Sequence, residues 1–157
     1  MRFLIKQRVF SWGDKYDIYD EHGNAKYFVK GELFSFGHKL HVYDMRGNEI
    51  GAVHEKVFSF PKQFEIVIGG CVRGHITKQF TFFIQKYDID FNGWHVDGNF
   101  FEWNYDVYSG GRKIIQINKE WLAWGDTYTI DIENPADELM GLMLVVAIDA
   151  ANCDHND

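Results

Sequence analysis

The stretch Asn134-Pro135-Ala136-Asp137-Glu138-Leu139-Met140-Gly141-Leu142-Met143-Leu144-Val145-Val146-Ala147-Ile148 decides the fold. Asn134 is a helix N-cap, and Pro135 suits the first helical position, where its missing N–H has no partner to lose. Asp137 and Glu138 fall in the first turn, where negative charge complements the helix dipole. From Leu139 to Ile148 there is no polar side chain. A surface helix carries a polar stripe, whereas one apolar all round is buried all round. Only a structure that surrounds this helix satisfies it.

The preceding residues supply the enclosure. An aromatic or leucine pair recurs at spacing i, i+4: Trp12/Tyr16, Phe36/Leu40, Phe60/Phe64, Phe83/Tyr87, Phe101/Tyr105 and Trp124/Tyr128. The first members are 24, 24, 23, 18 and 23 residues apart, the period of a repeated supersecondary unit. The first unit opens Phe10-Ser11-Trp12-Gly13 and continues Tyr16-Asp17-Ile18-Tyr19-Asp20, alternating as a strand does. Asp20-Glu21-His22-Gly23 then has turn chemistry, with Gly23 at the left-handed position. The second unit repeats these features at Phe34-Ser35-Phe36-Gly37, Leu40-His41-Val42-Tyr43-Asp44 and Met45-Arg46-Gly47-Asn48. Val29, Val53, Ile76 and Ile117 each fall six residues after their turn glycine. Side chains just after each inward aromatic, Asp17, His41, Glu65, Asp88, Asp106 and Thr129, read as the outer, wet face.

Six such hairpins make about twelve antiparallel strands. That many strands do not stay flat in one sheet; they close or split into layers. Closure also removes unpaired edges. A wide barrel can hold a helix, and fifteen helical residues span roughly 22 Å, about the height of a seven-residue strand. The sequence therefore predicts a mainly β fold: a closed twelve-stranded barrel of six hairpins around a helix at about residues 135–150. Residues 1–151 form its single domain, and 152–157 a polar tail.

Bulk properties narrow the functional classes. The net charge of −7 is local: from Trp121 onward there are eight acidic residues and no Lys or Arg, while the preceding residues balance to +1. No basic block of the nucleic-acid-binding kind is present. Cys71 and Cys153 are too few for a disulfide framework or a cysteine zinc site, and read as free thiols in a reducing cytosol. Residues 1–10 interrupt their apolar side chains with Arg2, Lys6 and Arg8, unlike a signal peptide. The longest apolar run, Leu142 to Ile148, is far short of the roughly 20 residues of a spanning helix. An intracellular, cytoplasmic protein with no transmembrane segment is expected.

Several segments together resemble the bacterial branch of the LURP-one-related proteins, of the tubby C-terminal-like superfamily. They are Ile5-Lys6-Gln7-Arg8-Val9-Phe10-Ser11-Trp12-Gly13-Asp14, Phe80-Thr81-Phe82-Phe83, Lys119-Glu120-Trp121-Leu122-Ala123-Trp124-Gly125-Asp126-Thr127-Tyr128, Asp137-Glu138-Leu139 and Ala147-Ile148-Asp149. The resemblance spans essentially the whole chain. It implies a twelve-stranded barrel around a hydrophobic C-terminal helix and names no activity. More distant relatives, the tubby proteins and phospholipid scramblases, imply phosphoinositide binding or lipid movement as an alternative role.

Candidate sites are sparse. Lys30, Lys56, Lys78 and Lys119 recur on the return strands, and aligned they would form a basic row for anionic phospholipid headgroups. With Glu32, Glu55 and Glu120 nearby, they equally suit a solvated edge. Asp88-Ile89-Asp90-Phe91-Asn92-Gly93 has the opening spacing of a calcium loop, with Asp88, Asp90 and Asn92 as ligands. Its twelfth position, however, is the uncharged Asn99. The seven histidines, 22, 38, 41, 54, 75, 95 and 155, show no metal-ligand spacing. No nucleophile elbow, phosphate loop or dinucleotide fingerprint occurs. No cofactor and no catalytic residue is therefore expected. A helix-filled barrel leaves an enzyme only its rim or wall. The leading expectation is a non-enzymatic binding or adaptor domain, ahead of a phospholipid-binding protein and of an enzyme with a rim-built site.

Overall fold

Twelve strands and one helix follow one another in the computed structural model, which describes residues 1–6, 15–34, 37–80, 85–100, 102–122 and 125–153. The strands are β1 (Arg2–Lys6), β2 (Lys15–Asp20), β3 (Ala25–Phe34), β4 (Gly37–Asp44), β5 (Glu49–Glu55) and β6 (Gln63–Ile68). They continue as β7 (Cys71–Phe80), β8 (Gln85–Ile89), β9 (Trp94–Asn99), β10 (Asn104–Ser109), β11 (Arg112–Leu122) and β12 (Gly125–Ile132). A 3-10 turn (Pro135–Asp137) leads into α1 (Glu138–Cys153). All ladders are antiparallel, in the order β8-β7-β6-β5-β4-β3-β2-β1-β12-β11-β10-β9.

The repeat seen in the sequence is a repeat in space. Tyr16, Leu40, Phe64, Tyr87, Tyr105 and Tyr128 all point inward and are buried. So are the residues two further on, Ile18, Val42, Ile66, Val107 and Ile130, and the glycine-plus-six positions Val29, Val53, Ile76 and Ile117. In the first two turns Asp20 and Asp44 each accept two backbone N–H groups at 2.9 Å. Gly23 and Gly47 close those turns at φ 81° and 86°, a conformation that favours glycine. β-Bulges recur at one position of the unit, at Ile18/Tyr19, Val42/Tyr43, Ile66/Val67 and Val107/Tyr108. A bulge adds bend and twist, so these four help curl the sheet toward closure.

The sixth unit differs from a simple hairpin. β12 has no return strand after it and pairs instead with β1, joining the two ends of the chain's sheet. Closure is nearly complete rather than complete, because β8 and β9 are the two ends of the ladder. The turn between these two strands differs from the first two. Asp90 does not cap it as Asp20 and Asp44 cap theirs. Its carboxylate instead takes the His75 backbone N–H at 2.6 Å and the His75 ring at 2.9 Å, tying the chain back to β7. Phe91 tucks inside against Gly74 and packs edge-on to Trp94 at 5.8 Å. A Cβ on Gly74 would lie 2.2 Å from the Phe91 ring. Gly74→Ala is therefore expected to lower stability by about 1–3 kcal/mol through overpacking, read from the urea midpoint.

Helix α1 fills the lumen. Leu142 to Ile148, Ala150 and Ala151 are exposed by 2% or less. Met143 and Gly51 meet so closely that a Cβ on the glycine would sit 2.7 Å from the sulfur. Asn134 caps the entry turn through its side chain, which accepts the Ala136 N–H at 3.0 Å. The helix runs to Cys153, beyond the expected end near residue 150, because Asn152 finds polar partners inside the barrel. Residues 154–157 of the expected tail lie outside the described residues, as do Trp12, Phe36, Phe83, Phe101 and Trp124 of the aromatic pairs. The remaining first member, Phe60, is 99% exposed and does not pack on Phe64. Thr129, expected on the wet face, is buried with its hydroxyl on the Asn118 carbonyl.

Candidate functional site

The tight turns after β2, β4, β6, β8 and β10 lie at one end of the barrel. The C-terminal ends of β3, β5, β7, β9 and β11, and of α1, lie at the other. Two features at this second end stand out chemically.

The first is inside. Tyr16 (β2), Tyr128 (β12), Tyr105 (β10) and Tyr87 (β8) occupy equivalent inward positions, while β4 and β6 carry Leu40 and Phe64. In the sheet order the four tyrosine strands are neighbours among the even strands, with β8 reached across the seam. Their phenols thus form one arc. Asp149, on the penultimate turn of α1, faces it, and Tyr16 is the neighbour that favours its charged form. Burial pushes the Asp149 carboxyl up to about 7, and Tyr16 offsets only part of that. Burial also drives the Tyr105 phenol well above its usual range, with Asp149, Tyr87 and Tyr128 adding to the effect.

The next residues of α1 fasten it to the wall. Lys78 (β7), 1% exposed, donates to the Ala151 carbonyl at 2.6 Å. A cation suits a helix C-terminus, where the last carbonyls lack helical partners. Asn152 braces the seam. Its Oδ1 accepts from Gln85 Nε2 at 2.8 Å and from the Tyr87 hydroxyl on the β8 side. Its Nδ2 donates to the Phe100 carbonyl at 3.3 Å on the β9 side. Phe100 packs between Tyr87 and Tyr105, with ring centroids 4.8 and 5.0 Å away. These contacts hold the helix end and close the gap that the ladder leaves.

The second feature is outside, in the β5–β6 loop. Phe58 and Phe60 are 97% and 99% exposed, and Val57 is 45% exposed. Lys56 and Lys62 flank them. Lys62 pairs with Glu55 at 2.8 Å, and Lys56 lies 3.8 Å from Glu65. Burial opposes ionisation of Glu55, yet Lys62 and the His38 backbone and ring hold its carboxyl below the ordinary value.

The four candidate lysines do not form one row. Lys30 faces solvent on β3, and Lys56 is exposed in the loop. Lys78 points into the lumen, and Lys119 on β11 shares the inward phase of Ile115 and Ile117. The candidate calcium residues are engaged locally. Asp88 accepts from Gln79 at 2.8 Å, Asp90 is bound to His75, and Asn92 forms the turn at φ 55°. Burial opposes the Asp90 charge, but its bonds from His75 hold the carboxyl below the usual range. Histidines on the outer wall likewise sit between carboxylates: His41 lies 3.1 Å from Glu32 and 3.0 Å from Glu49. Among the described residues, no three His, Cys, Asp or Glu side chains converge to hold a metal ion. Nor is any described helix long and apolar enough to cross a membrane.

Sequence reasoning missed Asp149, Asn152 and the Phe58/Phe60 display. A signal for the first two was present. Tyrosines at four of six inward positions imply hydroxyls in the lumen, and a buried phenol needs a polar partner. The first acidic and the first amide side chain after the apolar run are those two.

Known proteins share this plan. A family model described as LURP-one-related matches residues 1–149. The uncharacterized protein YxjI of Bacillus subtilis is 30% identical over 149 residues, covering 95% of this chain and 92% of that one. The X-ray structure of an Arabidopsis thaliana protein superposes with a TM-score of 0.66 at 17% identity, over 96% of this chain and 91% of the other. At that identity the structural likeness speaks for the fold.

Proposed function

The chain belongs to the LURP-one-related family, and from that premise we propose that it is a non-enzymatic, cytosolic binding or adaptor domain. The filled lumen carries this reading. Small-molecule sites of barrels form in their interior or mouths, and here α1 occupies the interior, with Leu144, Val146 and Ile148 fully buried. Among the described residues at the mouth, Lys78, Gln85 and Asn152 fasten the helix. Recognition then falls to the outer wall and the rims. The exposed, free Cys71 thiol suits a reducing compartment. The test is a broad hydrolase and phosphatase panel on the purified protein. No turnover above that of the heat-inactivated sample is expected. Robust turnover abolished by one point change would overturn the proposal.

A further inference from the structure

We propose that the lumen binds one monovalent alkali cation, held between the Asp149 carboxylate of α1 and the Tyr105 hydroxyl of β10. Three observations support it.

The first is an enclosed oxygen with nothing to bond. Tyr105 is 2% exposed, and its hydroxyl has no hydrogen-bond partner among the described residues. Besides burial, Asp149, Tyr87 and Tyr128 act on it electrostatically. The phenol thus faces the carboxylate across a gap too wide for a direct bond. Gln85 Oε1 is a second enclosed acceptor with no donor among those residues. Gln85 holds Asn152, which lies three residues after Asp149 and so one turn along the same side of the helix. Buried polar oxygens are rarely left alone, and a bound water or ion is the usual reason where they are.

The second is a charge with no counter-charge. Burial disfavours the Asp149 carboxylate, and Tyr16 is the one described neighbour that favours it. Two lysines have the inward phase. Lys78 on β7 is committed to the Ala151 carbonyl, and neither it nor Lys119 on β11 acts on the carboxyl. A buried carboxylate of this kind takes up a proton or is paired with a cation.

The third is the donor set. Phenols from β2, β8, β10 and β12, one carboxylate and one amide carbonyl offer oxygen alone, the ligand of hard cations. One carboxylate balances one positive charge, whereas calcium sites gather several. A water in the gap would satisfy the hydroxyl and leave the charge uncompensated. Asp149 keeps part of its surface open at the barrel mouth, which gives an ion its way in.

Thermal unfolding of the full chain tests this in about 0.3 M sodium, potassium or N-methyl-D-glucamine chloride, so that ionic strength stays constant. At pH 8 the folded carboxyl is ionised. Sodium or potassium should then raise the melting temperature by about 3–5 °C over N-methyl-D-glucamine, the shift for a site filled to about nine-tenths. At pH 5 a proton holds the carboxyl, and the difference should vanish. Asp149→Asn should show no difference at either pH. Tyr105→Phe deletes a hydroxyl without a partner, so it should fold and lose at least half of the shift. Equal wild-type melting temperatures in all three salts at pH 8 would overturn the proposal and leave water alone in the gap. So would a cation effect that survives in Asp149→Asn, is undiminished in Tyr105→Phe, or is as large at pH 5 as at pH 8.

Discussion

Leu144→Asp is expected to abolish folding. Leu144 is fully buried near the middle of α1, in the lumen of the barrel. An aspartate there would have to ionise without a partner or stay protonated among hydrocarbon side chains. Either costs several kcal/mol. Losing the leucine itself removes about 2–5 kcal/mol more. Against a total stability of about 5–15 kcal/mol, the sum consumes most or all of the margin. Leu144→Ala separates the two contributions. It should remain folded with stability reduced by about 2–5 kcal/mol, read from denaturant midpoints. A soluble Leu144→Asp protein with native circular dichroism and an unchanged midpoint would mean that this face of the helix is not enclosed.

Asp149→Asn is expected to stabilise the protein, and to do so in a pH-dependent way. The folded carboxyl titrates near 7, against an ordinary value of 3.8, because burial disfavours its charge. Below the ordinary value both states are protonated and the group is neutral in its effect. Between the two values the folded protein holds a proton that the unfolded chain has released, so stability falls as pH rises. Above about 7 the full penalty applies. The span corresponds to at most ~4 kcal/mol, reduced because Asp149 keeps part of its surface open at the barrel mouth. Asparagine mimics the protonated form. The variant should melt several degrees above wild type at pH 8 and close to it at pH 4. Equal destabilisation at both pH values would show that the carboxyl serves as a charged anchor instead.

How much of this was legible before the structure follows from the kind of physics involved. Strand positions were readable because inward residues recur at Tyr16, Leu40, Phe64, Tyr87, Tyr105 and Tyr128, and burial on one face imposes that period. The central helix was readable because no polar side chain interrupts Leu139 to Ile148. The seam was not, since β8 and β9 follow each other as the strands of the other hairpins do, yet they are the two ends of the ladder, and Asp90 bonds His75 of β7. Nor was the fate of the lysines. Lys78 and Lys30 look alike in sequence, yet one residue of strand phase sends the first into the lumen and leaves the second in water. Phe60 misled for the opposite reason. It occupies the same place in its unit as Trp12 and Phe36, but its loop, fixed by Ser59 and Gln63, turns the ring outward. Periodicity reports which residues are equivalent; it does not report where a loop points its side chains.

Native-state hydrogen exchange of the amides of residues 142–151 tests the enclosure of α1 most directly. An enclosed helix can exchange only when the barrel itself opens. Its amides should then share one opening free energy, equal to the global unfolding free energy and to that of β4, β6 and β11. They should also show the same denaturant dependence as global unfolding. Fast exchange of the helix amides while the strand amides remain protected would contradict it, for then the helix would leave the barrel on its own and the lumen would be open to ligands after all.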